Sequence, residues 1–327
     1  MTETGLPDIA KPDPAHATPP ALHGVLVTYH RPGDLVAMLD GLAQQERRLD
    51  TLVVVDNDPG ESAREVLAKQ VTAGTPEGTA ITYVAAGTNL GPAGGTALGM
   101  RHVLAHAGDR DWLVALDDDN PPRTPSVLGD LERFATRLRD DDPRVGGVGL
   151  VGGRFSPALG RGVRVPDSEL SGAVPADWIG GNNLPVYSVH AIRTVGVFDE
   201  RLFFGFDDLE YGLRLRGAGF DLYAHGTLRY GERAATGRLA LDVRPDRTVG
   251  DATWRRYYSL RNLLHILHQR GDRRGEARLI ARALGKPVAN LPRQPRLSVA
   301  DLALNSRAIL DAYRGRMGLT VRPAGKS

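Results

Sequence analysis

The stretch Trp112-Leu-Val-Ala-Leu-Asp117-Asp118-Asp119-Asn-Pro-Pro122 limits the fold more than any other part of the chain. Four apolar residues, Leu113 to Leu116, run directly into three carboxylates, and two prolines close the segment. A short apolar run bounded by breakers reads as a strand buried on both faces, as in a parallel sheet. Prolines cannot continue the ladder, so the acidic cluster falls where the strand ends. In open α/β sheets that edge is where ligands bind. Side chains at i and i+2 of an extended chain share a face, which lets Asp117 and Asp119 address one point while Asp118 turns away. Two carboxylates held together repel unless a proton or a cation lies between them. A hard divalent cation, Mg²⁺ or Mn²⁺, suits oxygen donors whose shell is completed by phosphates. The competing reading is a solvated turn capping a helix, and the buried strand leading into the cluster weighs against it.

The rest of the first half repeats this pattern. Strands are expected at His23–Tyr29, Leu52–Asp58, Ala80–Ala85 and Val145–Val151. Helices are expected at Gly33–Gln45, Glu61–Gln70, Gly95 to about Ala107, and Thr124–Arg139. Alternating strands and helices imply right-handed crossovers and a mostly parallel sheet with helices on both faces. Arg154–Ala176, rich in Gly and Pro, reads as a long irregular loop near the site. Short helices follow at His190–Val197 and up to Gly217, and further helices at Tyr257–Leu267, Glu276–Leu284 and Val299–Tyr313. The expected organisation is a disordered tail (1–20), an α/β domain (21–253) and a basic helical appendage (254–327).

Charge separates the last part from the rest. Residues 254–327 hold 16 Lys and Arg against 4 Asp and Glu, a net of +12, whereas the preceding residues hold 25 against 35, a net of −10. Such an end seeks an anionic surface: lipid headgroups, nucleic acid or an acidic protein. The chain has no cysteine, which removes disulfides and thiolate metal sites and suits a reducing cytosol. No apolar run approaches the roughly 18 residues of a membrane span. The opening residues lack the apolar core of a signal peptide. A cytoplasmic protein, peripheral on the inner face of an anionic membrane, is therefore expected.

Three other constellations carry chemistry. Gly87-Thr-Asn-Leu-Gly-Pro-Ala-Gly-Gly95 stands between a strand and a helix, where backbone amides can approach phosphate. It matches neither the dinucleotide fingerprint nor the Walker loop, and a plain tight turn explains it as well. Asp56 and Asp58 end the second strand; Asp58 is suited to capping the next helix, leaving Asp56 as the better ligand candidate. Phe206-Asp207-Asp208-Leu209-Glu210 is a second acidic cluster approached by Phe203, Phe204 and Phe206. An apolar approach raises a carboxylate toward the range of a general base. Isolated histidines such as His23, His102 and His106 read as structural, and nothing resembles a nucleophilic triad.

Taken in order, Thr28-Tyr29-His30-Arg31, Val55-Asp56-Asn57-Asp58, Asn89-Leu-Gly-Pro-Ala-Gly-Gly95, Asp117–Asp119 and Phe206-Asp207-Asp208-Leu-Glu210 resemble family 2 glycosyltransferases of the GT-A fold. The resemblance covers about residues 23–235 and is nearest to the galactofuranosyltransferase and rhamnosyltransferase-like branch. It implies a nucleotide-binding α/β sheet and transfer of a sugar from a nucleotide diphosphate donor to an acceptor hydroxyl, with inversion at the anomeric carbon. Cell-envelope polysaccharide or glycolipid assembly is the implied setting, with a glycan or lipid-linked acceptor. Thr28, Tyr29, Arg31, Asp56, Asn89, Gly91 and Asp118 would contact the donor. Asp117 and Asp119 would hold Mn²⁺ or Mg²⁺, with Glu232 or His225 as the third ligand. Asp208 would be the base, with Asp207 beside it, and Trp178, Asn182 and Asn183 would meet the acceptor. The branch carries paired tryptophans where this chain has only Trp178 followed by Gly-Gly-Asn-Asn, so the resemblance leaves the donor sugar open.

Two rivals belong to other classes. A sugar-phosphate nucleotidyltransferase would use a similar sheet and cation but release pyrophosphate, and its Gly-rich Arg/Lys signature is missing from the first strand. A non-enzymatic nucleic-acid binder driven by the basic end would need aromatic stacking residues, yet beyond Tyr258 only Tyr313 remains. No nucleic-acid partner is expected.

Overall fold

The structure is a computed structural model, and it describes residues 19–74, 76–156, 160–181, 183–239 and 253–322. The chain runs β1 (Leu22–Thr28), α1 (Pro32–Ala43), β2 (Thr51–Asp56), α2 (Ser62–Thr72), β3 (Ala80–Ala85), α3 (Gly91–Leu104), β4 (Trp112–Asp117), α4 (Val127–Asp141) and β5 (Val145–Gly149). It continues with β6 (Gly152–Ser156), β7 (Arg161–Arg164), β8 (Ala173–Ala176), β9 (Trp178–Ile179), β10 (Val186–Ser188), α5 (Val189–Val195), α6 (Asp207–Gly217), β11 (Asp221–His225) and α7 (Gly226–Ala235). Three helices end it: α8 (Thr253–Gln269), α9 (Arg273–Asn290) and α10 (Pro295–Tyr313).

The main sheet has the order β3-β2-β1-β4-β10-β5-β11-β8. β1, β2, β3 and β4 are mutually parallel, as are β5 and β11, while β10 and β8 run antiparallel to their neighbours. The mostly parallel sheet expected from the alternating pattern is therefore present. Its strands read as continuous apolar runs because both faces are covered. On one face Leu26, Leu52, Val54 and Val114 pack against Leu35 and Leu39 of α1 and Leu128 and Leu131 of α4. On the other, Val25, Val53, Val55 and Leu113 meet Ala97 and Met100 of α3, Ile192 of α5 and Tyr211 and Leu215 of α6. From β1 the chain steps outward to β2 and β3, then returns to place β4 on the other side of β1. That reversal opens a crevice beyond the carboxyl ends of β1 and β4. Register puts Val27 beside Asp117 and Thr28 beside Asp56 at this edge.

The structure corrects the expected loop and two element ends. Arg154–Ala176 is not one irregular loop: β6 and β7 form a hairpin, β9 joins them in a second sheet, and β8 edges the main sheet. The strand signal was missing because Gly153 stands where β-branched residues would be expected. A Cβ there would lie 2.5 Å from the Trp178 indole, so the bulk of this layer comes from β9. Pro175 is tolerated in β8 because that strand is an edge. β5 also stops at Gly149 rather than Val151.

The other corrected end is that of α9, which continues past Leu284 through Pro287 to Asn290. The basic end is helical, as expected, and it packs on the α/β domain. Leu263, Ile266 and Leu267 of α8 share a core with Leu209 and Leu213 of α6, and Tyr257, Tyr258 and Leu264 share one with Phe203. Burying an aliphatic side chain of this size stabilises by roughly 1.5–3 kcal/mol, so α8 is held firmly to the α/β domain. Residues 1–18 of the expected tail and the segment 240–252 just before the expected 253/254 boundary lie outside the described residues.

Candidate active site

The carboxyl edge of β4 assembles the first cluster as a layered arrangement. Asp118 is buried, and its carboxylate accepts a hydrogen bond from Thr28 Oγ1 at 2.8 Å and one from Arg31 Nη1 at 3.2 Å. The same Arg31 nitrogen binds Asp119, whose side chain is half exposed. Thr28, Arg31, Asp118 and Asp119 thus form one network. Burial raises the Asp118 pKa, opposed by the Thr28 hydroxyl and the Arg31 charge. Asp117 keeps a partly open edge, yet burial pushes its carboxyl up to about 7, helped by the neighbouring charges of Asp119, Asp118 and Asp208.

The second cluster faces the first. Asp207 and Asp208 open α6, and both side chains are only partly accessible. Burial raises both carboxyls; Asp208 adds to the rise at Asp207, as does the charge of Asp117. Asp208 accepts hydrogen bonds from the amides of Leu209 at 2.7 Å and Gly181 at 3.3 Å. The Gly180-Gly181 loop therefore stands directly against Asp208. Asn183 closes the turn by donating its amide to Gly180 O, at 3.2 Å. Trp178 and Phe206 lie in one apolar cluster with Phe155 and Leu209. Asn182 lies outside the described residues.

The Gly-rich segment packs closely on its surroundings. Asn89 Oδ1 accepts from the Gly91 amide at 2.9 Å, and Asn57 Nδ2 donates to Gly91 O at 3.0 Å. Gly91 has φ +71°, and a Cβ on it would lie 2.1 Å from Phe203 O. Glycines at 95 and 99 share that helix face and let α3 settle on Val27 and Val25 of β1. Gly91 consequently abuts the turn that carries the second acidic cluster, and Asn89 holds the Gly91 amide.

Several other expected site residues have protein partners. Asp56 is fully buried, and its oxygens accept from the amides of Asp58 and Ala63, both at 2.9 Å, and from the Tyr83 hydroxyl at 3.1 Å. It orders the β2–α2 loop, with Oδ1 holding one amide and Oδ2 an amide and the Tyr83 hydroxyl. Asp58 itself accepts from the Gly60 amide and pairs with His30 at 3.0 Å. Tyr29 is exposed at the crevice, its ring 4.3 Å from that of His30. Glu232 pairs with Arg229 at 3.1 Å, and His225 caps α7 while its ring packs 4.3 Å from Phe134. The charges that bear most on Asp117 are Asp119, Asp118, Asp208 and Arg31. Among the described residues no three acidic or histidine side chains form a group that could hold a metal ion. Asp117 and Asp119 still fit a hard cation by chemistry. They are crowded oxygen donors, one with a raised affinity for positive charge, and Arg31 already supplies a positive group at Asp119.

Sequence reasoning missed the supports of the second cluster. Glu210 and Arg214 form a two-point ion pair, both contacts 2.9 Å, and Arg214 also donates to the carbonyls of Val195 and Val197. Arg261 and Asn262 of α8, both fully buried, reach the turn before Asp207. A charged residue and an amide on the apolar face of an amphipathic helix were the available signal.

A switch-point crevice floored by facing carboxylates is the architecture of enzymes that handle a nucleotide diphosphate sugar. The chain belongs to the family 2 glycosyltransferases: the family described as Glycosyl transferase family 2 matches residues 25–145, within a longer match to known transferases. It is 31% identical over 262 residues to the galactofuranosyltransferase GlfT1 of Mycolicibacterium smegmatis, covering 76% of this chain and 84% of that one. It is 32% identical over 265 residues to GlfT1 of Mycobacterium tuberculosis, covering 78% and 84%. The mannosyltransferase PcManGT of Pyrobaculum calidifontis, solved with GDP-Man and Mn²⁺, shares the fold at a TM-score of 0.54 and 16% identity, over 95% of this chain and 91% of that one. Family membership sets aside the nucleotidyltransferase and the non-enzymatic reading.

Proposed function

We propose that the chain is an inverting, cation-assisted glycosyltransferase that moves a sugar from a nucleotide diphosphate donor onto a glycan or lipid-linked acceptor in cell-envelope assembly. The observation that carries this reading is the convergence of Asp117 with Asp207 and Asp208 across the crevice, in a chain similar along most of its length to two galactofuranosyltransferases. Thr28 and Arg31 fix Asp118, and Tyr29 at the rim offers an aromatic face to the nucleotide. Asp117 and Asp119 would hold the Mn²⁺ or Mg²⁺, which when bound neutralises charge building on the diphosphate.

The acceptor hydroxyl enters from the side of Gly181, Trp178 and Asn183. Asp208 takes its proton as the oxygen forms a bond to the anomeric carbon. The bond from that carbon to the phosphate oxygen breaks on the opposite face, and its electron pair leaves with the nucleoside diphosphate. Burial that raises Asp208 makes it a stronger base than an exposed aspartate.

Among the described residues no helix is long and apolar enough to cross a membrane. The α9–α10 hairpin supports a peripheral contact instead. Residues 277–300 hold Arg278, Arg282, Lys286, Arg293 and Arg296 with no acid, and Val288, Leu297 and Val299 are exposed among them. Basic side chains with apolar neighbours suit anionic headgroups. The reading is tested by thermal shift against UDP-, GDP- and dTDP-sugars, UDP-galactofuranose included, with and without Mn²⁺, followed by product analysis with alkyl glycoside acceptors. A donor that stabilises the fold and releases free nucleoside diphosphate supports it; pyrophosphate release, or no response to any member, contradicts it.

A further inference from the structure

The turn that delivers Asp207 and Asp208 is built from backbone that side-chain-bearing residues rarely adopt. Phe203 has φ 61°, Gly205 φ 78° and Phe206 φ 64°. Such a turn persists only where its surroundings over-determine it. The surroundings here are two adjacent residues of α8. Asn262 Nδ2 contacts the carbonyls of Leu202 at 3.0 Å, Phe204 at 3.0 Å and Gly205 at 2.8 Å. Arg261 Nη2 donates to the Leu202 carbonyl at 2.9 Å, and Arg261 Nε donates to Asn262 Oδ1 at 3.0 Å, which orients the amide with its donor side toward the turn. The remaining carbonyl, Phe203 O, accepts from the Ala93 amide at 3.4 Å beside Gly91.

Both residues are fully buried, and Arg261 donates to two carbonyls, a hydroxyl and the Asn262 side chain. Its other bonds, to Gly318 O at 2.9 Å and Thr320 Oγ1 at 3.0 Å, tie the C-terminal segment to the same point. Arg261 therefore serves the helical region as well as the turn. Asn262 donates to the turn alone.

We propose that Asn262, oriented by Arg261, is a positioning residue for the transfer reaction: it fixes the Leu202–Phe206 turn and so sets where Asp208 meets the acceptor. This role rests on Asp208 being the base. It also gives the C-terminal helices a part in catalysis independent of any membrane contact. A turn released from its clamp displaces the base relative to a donor site built on β1 and β4, which α8 does not form. The expected signature is a fall in kcat with donor affinity kept.

The test compares Asn262→Ala, Asn262→Ser and Asp208→Asn in the full chain, measuring UDP release from UDP-galactofuranose with alkyl glycoside acceptors, and Kd for UDP with Mn²⁺. A misplacement near 1 Å costs about 10²-fold in rate, so Asn262→Ala is expected to lose kcat on that order with Kd for UDP within about twofold by the same argument. Ser, able to donate one hydrogen bond, should recover part of the loss. Native kcat in Asn262→Ala, or equal losses in kcat and UDP binding, overturns the proposal. If neither variant at 262 folds, Asn262 is a folding element and the positioning role is rejected. If Asp208→Asn is inactive while Asn262→Ala is native, only the clamp fails; if Asp208→Asn is active, the base assignment itself fails and the clamp's role falls with it.

Discussion

Replacing Gly91 by Ala separates a packing role from a ligand role at the start of α3. The added Cβ would lie 2.1 Å from Phe203 O and 2.7 Å from the Phe203 ring. The first is a backbone atom in a turn held by Asn262 and cannot step aside cheaply. A positive φ alone costs an alanine about 1–2 kcal/mol, and forcing a methyl into a filled interior costs about 1–3 kcal/mol. Their sum, centred near 3–4 kcal/mol at about 2–4 °C per kcal/mol for a domain of this size, gives a melting temperature lower by roughly 10 °C. Gly33, where a Cβ meets nothing within 4 Å, is the control, and its alanine variant should stay within about 0.5 kcal/mol of the parent. Circular dichroism melts of both variants, with UDP titrations at 20 °C, make the comparison. A Gly91→Ala protein that melts with the parent but no longer binds UDP would refute the packing argument and restore the glycine to the nucleotide site.

Other outcomes follow from the same geometry. Asp119→Ala should keep the fold, because its side chain is half exposed, while abolishing Mn²⁺-dependent turnover; full activity in EDTA contradicts the cation's role. Without metal, Asp117 is held up to about 7. An acid whose folded pKa is raised contributes stability that is present below its unfolded value near 4 and lost as pH rises through about 7. Metal-free protein should therefore melt higher at pH 5.5 than at pH 8 in this respect, and Asp117→Asn should flatten the difference; an unchanged slope counts against the crowding. Flotation with anionic vesicles should be weakened by Leu297→Ser with Arg296→Glu, and by salt; no flotation of the parent at low salt contradicts the lipid contact.

How much could be read in advance depended on where each residue's partners lie along the chain. β4 and its acidic end were legible because a doubly buried strand and its terminus are local: apolar run, carboxylates, prolines. The helices of both faces were legible from spacing, as with Leu35, Met38, Leu39 and Leu42, all buried in α1. The β6–β7 hairpin was not, since Gly153 takes its bulk from Trp178, 25 positions away. Asp56 and Asp58 could be told apart only by position, whereas the structure shows both accepting amides of the β2–α2 loop. Glu232 pairs with Arg229 one helical turn before it, a partner that its residue type alone does not name. Asn262 lies 57 positions from the carbonyl it holds most closely. Such a contact has no periodicity to announce it; only a polar pair on an apolar helix face hinted at it.

The central claim is that two acidic clusters divide the chemistry, with Asp208 as the base. Asp208→Asn keeps shape and removes the basic lone pair. Single-turnover measurement of UDP release from UDP-galactofuranose, with matched binding of UDP and Mn²⁺, compares it with Asp207→Asn. Loss of a general base costs about 10² to 10⁴ in rate, whereas loss of a helix-start contact costs about 1 kcal/mol of stability. The account predicts normal nucleotide binding and a rate lower by that range in Asp208→Asn, with Asp207→Asn affecting mainly the melting temperature. The reverse pattern, or near-native turnover in both, would contradict it.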